Sequence, residues 1–231
     1  MKYIEIKNLI LDQIEQGELF PNQKLPSERI LADSFSTTRI TIREALSSLE
    51  AESKIYREDR RGWFVSASPL LIDPTQVTSF EGTATSQDRI PATKFLNVSL
   101  EMANKKASQL LQLKPFSKVY KVSRVKYIDN RPVAYFVNYI SPSLFPELLD
   151  KDLSGSLTEL FDVEYTIKRN RLKYHICTGN LERALAKHLR INDAMPMLIL
   201  EKINGDDGNM ACDCSIEYWR QDSIRIESIS F

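Results

Sequence analysis

Hydrophobic residues near the start of the chain recur at the spacing of helix faces. Between residues 2 and 16 most apolar side chains are three or four positions apart, which predicts an amphipathic helix that ends at Gly17. Ser27 is a suitable N-cap for a short second helix, and Thr38 for a third helix from Arg39 to about Ala51. The third helix has one apolar face, made of Ile42, Ala45, Leu46 and Leu49.

A hairpin is predicted after the third helix. Ile55–Arg57 and Trp63–Val65 have the pattern of two short strands, and the polar residues 58–62 between them suit a turn. Two short helices joined by a tight turn and followed by a hairpin are typical of a winged helix-turn-helix. We assign this domain to residues 1–66. The small, proline-bearing stretch that follows it indicates a linker, which we place at 67–77.

The start of the third helix is well suited to double-stranded DNA. A recognition helix enters the major groove with its N-terminal residues toward the base edges, and arginine there can bind guanine through two hydrogen bonds. An arginine pair alone usually marks a solvated face, but the complete series of helices and hairpin favours a DNA-binding function. The predicted DNA-contacting residues lie on the second helix, at the start of the third and at the wing tip: Arg29, Thr38, Arg39, Thr41, Arg43, Arg60, Arg61 and Gly62.

Composition narrows the class of protein only slightly. The net charge is zero, so total charge does not favour nucleic acid, although phosphate binding depends on the local patch of charge. Hydrophobic residues make up 42% and charged residues 27%, as in ordinary globular proteins. No apolar run approaches the roughly 18 residues of a membrane span, and the N-terminus lacks a secretory pattern. We therefore expect a cytoplasmic protein with no membrane partner.

The remainder of the chain, 78–231, reads as a second domain of mixed structure. Lys118–Ile128 and Pro132–Ile140 alternate like long strands around the turn 129–131, whereas 81–91 has no regular pattern. The other predicted elements are helices over 102–112, 156–161 and 179–189 and strands over 165–176, 197–203, 212–219 and 224–229. The predicted fold class is α+β.

Several polar residues of this domain could bind a small charged molecule. Arg124 and Lys126 lie on one face of a strand, which indicates either a solvated face or an anion site. Ser156 and Thr158 stand at the start of a short helix, where hydroxyls either cap the helix or contact an anion. A carboxylate at the other end of the site could hold an ammonium group, for which the candidates are Asp213 and Glu217.

The first domain resembles the GntR family of bacterial regulators. The motifs that carry the resemblance are Lys24–Arg29, Thr38–Leu46 and Arg61–Val65, in this order. By resemblance, the DNA-contacting positions are Arg29, Arg39, Thr41, Arg43 and Gly62.

The second domain resembles the UTRA effector domain of the HutC subfamily. This domain has the same fold as chorismate lyase, an antiparallel sheet flanked by helices. The motifs lie at 119–127, 131–134, 155–157 and 218–222. The resemblance implies that Arg124 and Lys126 bind a phosphate-like group, that the loop of Ser79 reaches the ligand, and that Asp213 contacts the effector. Trp219 is the eighth predicted effector-contacting residue, although it stands where the family usually has tyrosine. Phe136 stands where sugar-binding relatives often have glutamate.

A narrower resemblance is to phosphonate-utilisation regulators that respond to 2-aminoethylphosphonate. The segments that carry it include 59–65, 72–76, 153–159 and 216–223. It implies a homodimeric regulator of a catabolic operon. Repression that the ligand releases is the common outcome in the family, whereas some phosphonate branches activate. The alternative effectors are a sugar phosphate or an amino-acid-derived acid, and an architectural DNA-binding protein without a ligand is a further alternative.

Enzymatic and metal chemistry receive little support from the sequence. No glycine-rich phosphate loop, HExxH motif or serine nucleophile elbow occurs, so we expect no catalytic residues and no cofactor. The three cysteines and two histidines lack the spacing of a zinc site, and we expect no metal. Buried free thiols are the simplest interpretation of Cys177, Cys212 and Cys214.

Overall fold

The computed structural model describes residues 2–76, 78–165, 171–205 and 211–228. The chain divides into two compact units. The first comprises the residues up to Pro69 with the short segments Arg190–Asn192 and Gln221–Ser223, and the second comprises the rest from Leu70 onward.

The first unit is a three-helix domain with a hairpin, as predicted. Its buried centre brings together Ile6 and Ile10 of the first helix, the apolar face of the third helix, and Trp63. The elements are α1 (Tyr3–Glu15), α2 (Glu28–Ser34), α3 (Arg39–Ala51), β1 (Ile55–Glu58) and β2 (Gly62–Val65), with β1 and β2 antiparallel.

Both predicted N-caps are present in this unit. The Ser27 hydroxyl accepts a hydrogen bond from the backbone N–H of Ile30 at 3.4 Å, and the Thr38 hydroxyl accepts one from Thr41 at 3.2 Å. Each cap satisfies a backbone donor that the first turn of a helix otherwise leaves free, which contributes about 1 kcal/mol. These caps set where α2 and α3 begin.

The second unit is built on a six-stranded antiparallel sheet in the order β4-β5-β6-β9-β8-β7, and its α+β class agrees with the prediction. Strands β3 and β10 form a separate parallel pair. The strands are β3 (Leu70–Ile72), β4 (Pro91–Met102), β5 (Lys118–Ile128), β6 (Arg131–Ile140), β7 (Arg171–Asn180), β8 (Pro196–Gly205), β9 (Ala211–Arg220) and β10 (Ile224–Ile226). The helices are α4 (Phe80–Thr85), α5 (Lys105–Leu110), α6 (Leu157–Glu164) and α7 (Arg183–Ala186).

The turn between β5 and β6 lies where it was predicted but is one residue shorter, because Arg131 begins β6 and pairs with Ile128. Asp129 and Asn130 have φ values of 50° and 66°, in the left-handed region that two-residue hairpin turns require and that these residue types tolerate.

Other segments correct the sequence prediction. The stretch 81–91, predicted to lack structure, contains most of α4, and the predicted linker 67–77 contains β3. The long strand β4 was not predicted, and the predicted helix 179–189 is shorter because β7 continues to Asn180. Tyr165, predicted as the first residue of a strand, instead follows α6 as its C-cap, and the described part of β7 runs over Arg171–Asn180. Residues 166–170 and 229 of the predicted strands lie outside the described residues.

Alternation along the strands sets which residues meet on the face that carries the candidate site. Cross-strand pairing places Arg124, Phe136 and Glu217 in one row over β5, β6 and β9. The next row contains Lys126, Ala134 and Trp219. Side chains two positions apart share a face, so both rows project toward the same side.

Within the described residues, we find no helix with both the length and the apolar character needed to cross a membrane.

Candidate functional site

The third helix has one buried face and one exposed face. Ile42, Ala45, Leu46 and Leu49 are fully buried. Arg39 and Arg43 lie on the exposed side, as does Arg29 on α2. Thr38 is exposed and Thr41 is half-buried, and their hydroxyl oxygens are 3.0 Å apart. The side chains proposed to read base edges are therefore open to solvent at the start of α3.

Arg43 and Arg39 differ in how firmly they are held. The Arg43 guanidinium donates to Glu28 at 2.8 Å, and the indole of Trp63 donates to the other oxygen of the same carboxylate at 3.3 Å. The hydrogen bond from Arg43 is the main reason that the pKa of Glu28 is lowered. Among the described residues Arg39 forms no ion pair. Arg43 is thus held toward α2, and Arg39 is free to adapt to a base.

The hairpin presents two arginines at its tip. Arg60 has a φ of 58° and a side chain that is 92% exposed. Arg61 forms an ion pair with the buried carboxylate of Glu58, and its guanidinium lies 5.5 Å from the ring centre of Phe64. Gly62 has a φ of 105°, which a residue with a Cβ adopts only with strain. Gly62 thus has a structural role in the turn, and Arg60 is the more accessible cation.

A pocket of about 80 Å³ lies in the second unit, against one face of the sheet, and is closed by residues of α4 and α6. Seven of the eight predicted effector-contacting residues line it: Arg124, Lys126, Ser156, Thr158, Asp213, Glu217 and Trp219. Ser79 does not. Its hydroxyl caps α4 by accepting from Gly82 at 3.0 Å, and it lies in a shallow neighbouring depression.

Arg124 is a buried cation at the floor of the pocket, only 4% exposed. Its guanidinium donates to the carbonyl of Gly155 at 3.0 Å and to the side-chain oxygen of Asn138 at 3.1 Å. Its Nε is buried and has no hydrogen-bond partner within the described part of the chain. Burial lowers the pKa of Arg124 to about 10, against the opposing effect of Glu81 and Glu217, and the group remains charged at neutral pH. A buried donor without a partner is costly unless a ligand satisfies it.

Lys126 is the second cation and is already paired. Its ammonium donates to Glu81 at 2.7 Å and to Thr93 at 2.8 Å. It also lies 4.9 Å from the ring centre of Phe80 and 5.6 Å from that of Phe136. Burial, followed by repulsion from Arg124, lowers the pKa of Lys126 to about 8. Burial alone would raise the pKa of Glu81, but the nearby ammonium outweighs it and the pKa is lowered.

The two predicted carboxylates have different surroundings. Glu217 accepts from Ser215 at 3.0 Å and from the indole of Trp219 at 2.9 Å, and it lies 3.2 Å from the ammonium of Lys202. Asp213 accepts at one oxygen from the amide of Asn204 at 2.8 Å. Both carboxylates line the pocket, and Asp213 is the one that the family resemblance assigns to the effector.

The apolar wall of the pocket is aromatic. The Trp219 ring centre lies 5.4 Å from that of Phe136 and 6.0 Å from that of Phe80. At the opposite wall, the Ser156 hydroxyl caps α6 by accepting from Glu159 at 3.3 Å, as one of the two sequence interpretations expected. Thr158 lines the pocket two residues further on.

The polar lining residues that were not predicted from the sequence include Glu81, Asn138, Lys202 and Asn204. With them the described lining contains three basic side chains (Arg124, Lys126 and Lys202) and three carboxylates (Glu81, Asp213 and Glu217). The alternation of β8 contained the signal for two of them, because Lys202 and Asn204 share a strand face with the buried Leu200.

The cysteine prediction holds in part. Cys212 and Cys214 are free and buried, but Cys177 is only half-buried, which corrects the expectation for that residue. His175 and His188 are both exposed.

Comparison with known proteins identifies the class that this fold and pocket represent. Residues 2–65 match the bacterial regulatory proteins of the gntR family, and residues 86–225 match the UTRA domain. The chain belongs to the UTRA-domain group of GntR regulators, and it is a metabolite-responsive transcriptional regulator and not an enzyme.

Particular relatives extend over nearly the whole chain. The uncharacterized HTH-type transcriptional regulator YihL of Escherichia coli K12 is 29% identical over 213 residues, which is 91% of this chain and 90% of YihL. The mannosyl-D-glycerate transport/metabolism system repressor MngR of the same organism is 27% identical over 202 residues, 87% of this chain and 83% of MngR. The crystal structure of PhnF from Mycobacterium smegmatis has a TM-score of 0.68 at 21% identity and covers 96% of this chain and 98% of its own, which shows a shared fold.

Proposed function

We propose that this regulator binds operator DNA as a homodimer and responds to a small zwitterion with a phosphonate or phosphate group, of which 2-aminoethylphosphonate is the first candidate. The observation that carries the proposal is the balanced charge of the pocket, with a buried arginine donor free at one side and Asp213 at another. The proposed domains are 1–66 for DNA and 78–231 for effector binding and dimerisation. The segment 67–77 between them is not a simple linker, because its strand β3 (Leu70–Ile72) belongs to the second unit.

The anionic group is assigned to Arg124. Its free Nε–H, together with the nearby Lys126, offers a phosphonate oxygen charged donors in a site that excludes most water. Ser156 and Thr158 lie at the N-terminal end of α6, where the helix dipole favours an anion. A ligand without an acceptor atom would leave the Arg124 donor unsatisfied, and an anionic oxygen satisfies it with a stronger, charge-assisted hydrogen bond than a neutral oxygen does.

The cationic group is assigned to Asp213, which lies six residues along β9 from Trp219 of the aromatic wall. A carboxylate attracts an ammonium ion. Among the described lining residues, three basic and three acidic side chains cancel in formal charge, which suits a ligand that carries both signs. The volume of about 80 Å³ suits a small molecule better than a sugar phosphate.

A sugar-derived effector is the second candidate, because the name of MngR gives it a role with mannosyl-D-glycerate. The aromatic Phe136 in the pocket opposes it, since it offers no hydrogen bond to a sugar hydroxyl.

The DNA contacts are assigned to α3 and the wing. We propose that Arg39 reads a base edge while Arg43, Arg29 and the wing arginines contact phosphates. Two such domains in a two-fold dimer would read the two halves of a near-palindromic operator. Effector binding would alter DNA affinity only if the effector binds the DNA-competent and DNA-incompetent states with different affinity. Release of repression is the outcome we propose.

A thermal-shift screen tests the effector assignment. A ligand at 100 times its Kd stabilises the native state by about 2.7 kcal/mol, which raises the Tm of a chain of this size by about 5–10 °C. We expect this rise with 2-aminoethylphosphonate and a smaller one with sugar phosphates, amino acids and urocanate. A rise with a sugar phosphate alone would refute the phosphonate assignment.

A further inference from the structure

A second cluster of polar side chains lies on the sheet away from the effector pocket. The side chains of Tyr174 on β7 and Lys202 on β8 line the pocket. Their neighbours His175, Cys177 and Glu201 therefore project from the opposite face. His175 and Glu201 are direct cross-strand partners, and Cys177 is two positions along from His175. One potential metal-binding atom from each lies within 4.8 Å of the other two.

The distances agree with tetrahedral zinc. Zinc binds histidine nitrogen and carboxylate oxygen at about 2.0–2.2 Å, so in a tetrahedral site those two atoms are about 3.3–3.5 Å apart. The Nδ1 atom of His175 and Oε2 of Glu201 are 3.2 Å apart. With a zinc–sulfur bond of about 2.3 Å, the sulfur lies about 3.6 Å from each of the other two ligand atoms. The 4.8 Å limit means that only a modest side-chain rotation separates the observed cluster from this geometry.

The surroundings also suit a metal ligand. Glu201 is 8% exposed, and its Oε1 forms an ion pair with Lys106 at 2.5 Å. That contact leaves Oε2 directed at the imidazole and fixes the carboxylate, as groups behind metal ligands commonly do. His175 is 66% exposed, so an ion can reach the cluster from solvent.

We propose that His175, Cys177 and Glu201 bind one divalent zinc ion. This metal site is separate from the effector pocket. Nitrogen, thiolate and carboxylate together favour zinc over magnesium or calcium, which prefer oxygen ligands alone. Three protein ligands leave the fourth tetrahedral position for water or another donor. The ion ties edge strand β7 to β8, whose other face supplies Lys202 to the pocket.

Cobalt(II) titration of the full chain tests this site, because cobalt replaces zinc and absorbs light. We expect one equivalent of cobalt to produce visible bands and a near-ultraviolet thiolate-to-cobalt band, and zinc to abolish both. Cys177→Ser should remove the thiolate band while Cys212 and Cys214 are still present. His175→Gln and Cys177→Ser should each weaken zinc binding by at least about 10-fold. Mutation of a group that only hydrogen-bonds to a metal ligand already lowers metal affinity by about that factor, and these two residues are proposed as ligands themselves.

His188→Gln is the matched control, because His188 is also exposed on this unit and is not in the cluster. It should leave the bands and zinc affinity unchanged, and thermal melting of each variant should confirm that the fold is retained. Absence of a thiolate band at stoichiometric cobalt would overturn the proposal. The same would follow if the band persisted in Cys177→Ser, or if His188→Gln weakened binding as much as His175→Gln.

Discussion

Replacing Arg124 should weaken effector binding more than replacing Lys126, although both are buried cations of the same strand. The Nε of Arg124 has no hydrogen-bond partner among the described residues, whereas the ammonium of Lys126 already contacts Glu81 at 2.7 Å and Thr93 at 2.8 Å. An anion gains a new hydrogen bond at Arg124 but only exchanges partners at Lys126. A hydrogen bond to a charged group contributes about 1.5–3 kcal/mol, so Arg124→Lys, which keeps the charge but loses Nε, should raise Kd by about 10- to 100-fold.

The Lys126 comparison needs a paired substitution. Lys126→Met alone would leave the carboxylate of Glu81 without its cation, and breaking a buried pair is strongly destabilising. The double variant Lys126→Met/Glu81→Gln removes both charges together. We expect it to raise Kd by less than about 10-fold, because the effector loses the attraction of the Lys126 ammonium but no longer competes with the Glu81 carboxylate.

Isothermal titration calorimetry with 2-aminoethylphosphonate at pH 7 measures both variants, with thermal melting of the ligand-free proteins as the control for folding. A greater loss of affinity in the double variant than in Arg124→Lys would refute the ranking. Unchanged affinity in both variants, with clear binding by the wild type, would place the effector outside this pocket.

The remaining predictions concern pH, DNA and the cap of α3. Effector affinity should fall as pH rises through about 8, because unliganded Lys126 loses its proton there. Calorimetry in buffers of different ionisation enthalpy should detect proton uptake on binding. A Kd that does not change between pH 7 and pH 9 would argue against a role for this ammonium. Arg39→Ala should weaken operator binding by about 1–3 kcal/mol in fluorescence anisotropy without altering the effector-induced Tm rise, whereas full DNA affinity would exclude it from base reading. Thr38→Ala should lower the free energy of unfolding by about 1 kcal/mol in urea, and an unchanged value would mean that its bond to Thr41 adds nothing.

The first domain could be predicted closely because its signals are local. Ser27 and Thr38 mark the starts of two helices by capping, and the buried positions of α3 recur with the helical period. In the second domain, alternation along β5 was enough to place Arg124 and Lys126 on one face.

The missed parts depend on tertiary contacts. α4 has six residues, too few for a periodic pattern, and Glu81 enters the site only through its contact with Lys126. In β4 the register shifts between Phe95 and Asn97, which interrupts the alternation that would have identified this strand. Alternation along β8 places Lys202 on the face of Leu200, but only the pairing of β8 with β9 brings that face to the pocket.

The most direct test of a ligand-controlled regulator is the coupling between its two proposed sites. A duplex selected from a random-sequence pool should be titrated with the intact protein at fixed salt, with and without saturating 2-aminoethylphosphonate, and the effector should then be titrated with and without the duplex. We expect the effector to change the Kd for DNA by about 5- to 150-fold and the duplex to change the Kd for effector by the same factor, because binding linkage is reciprocal. The account would be contradicted if both ligands bound tightly, the Kd for DNA were the same with and without effector, and the Kd for effector were the same with and without the duplex.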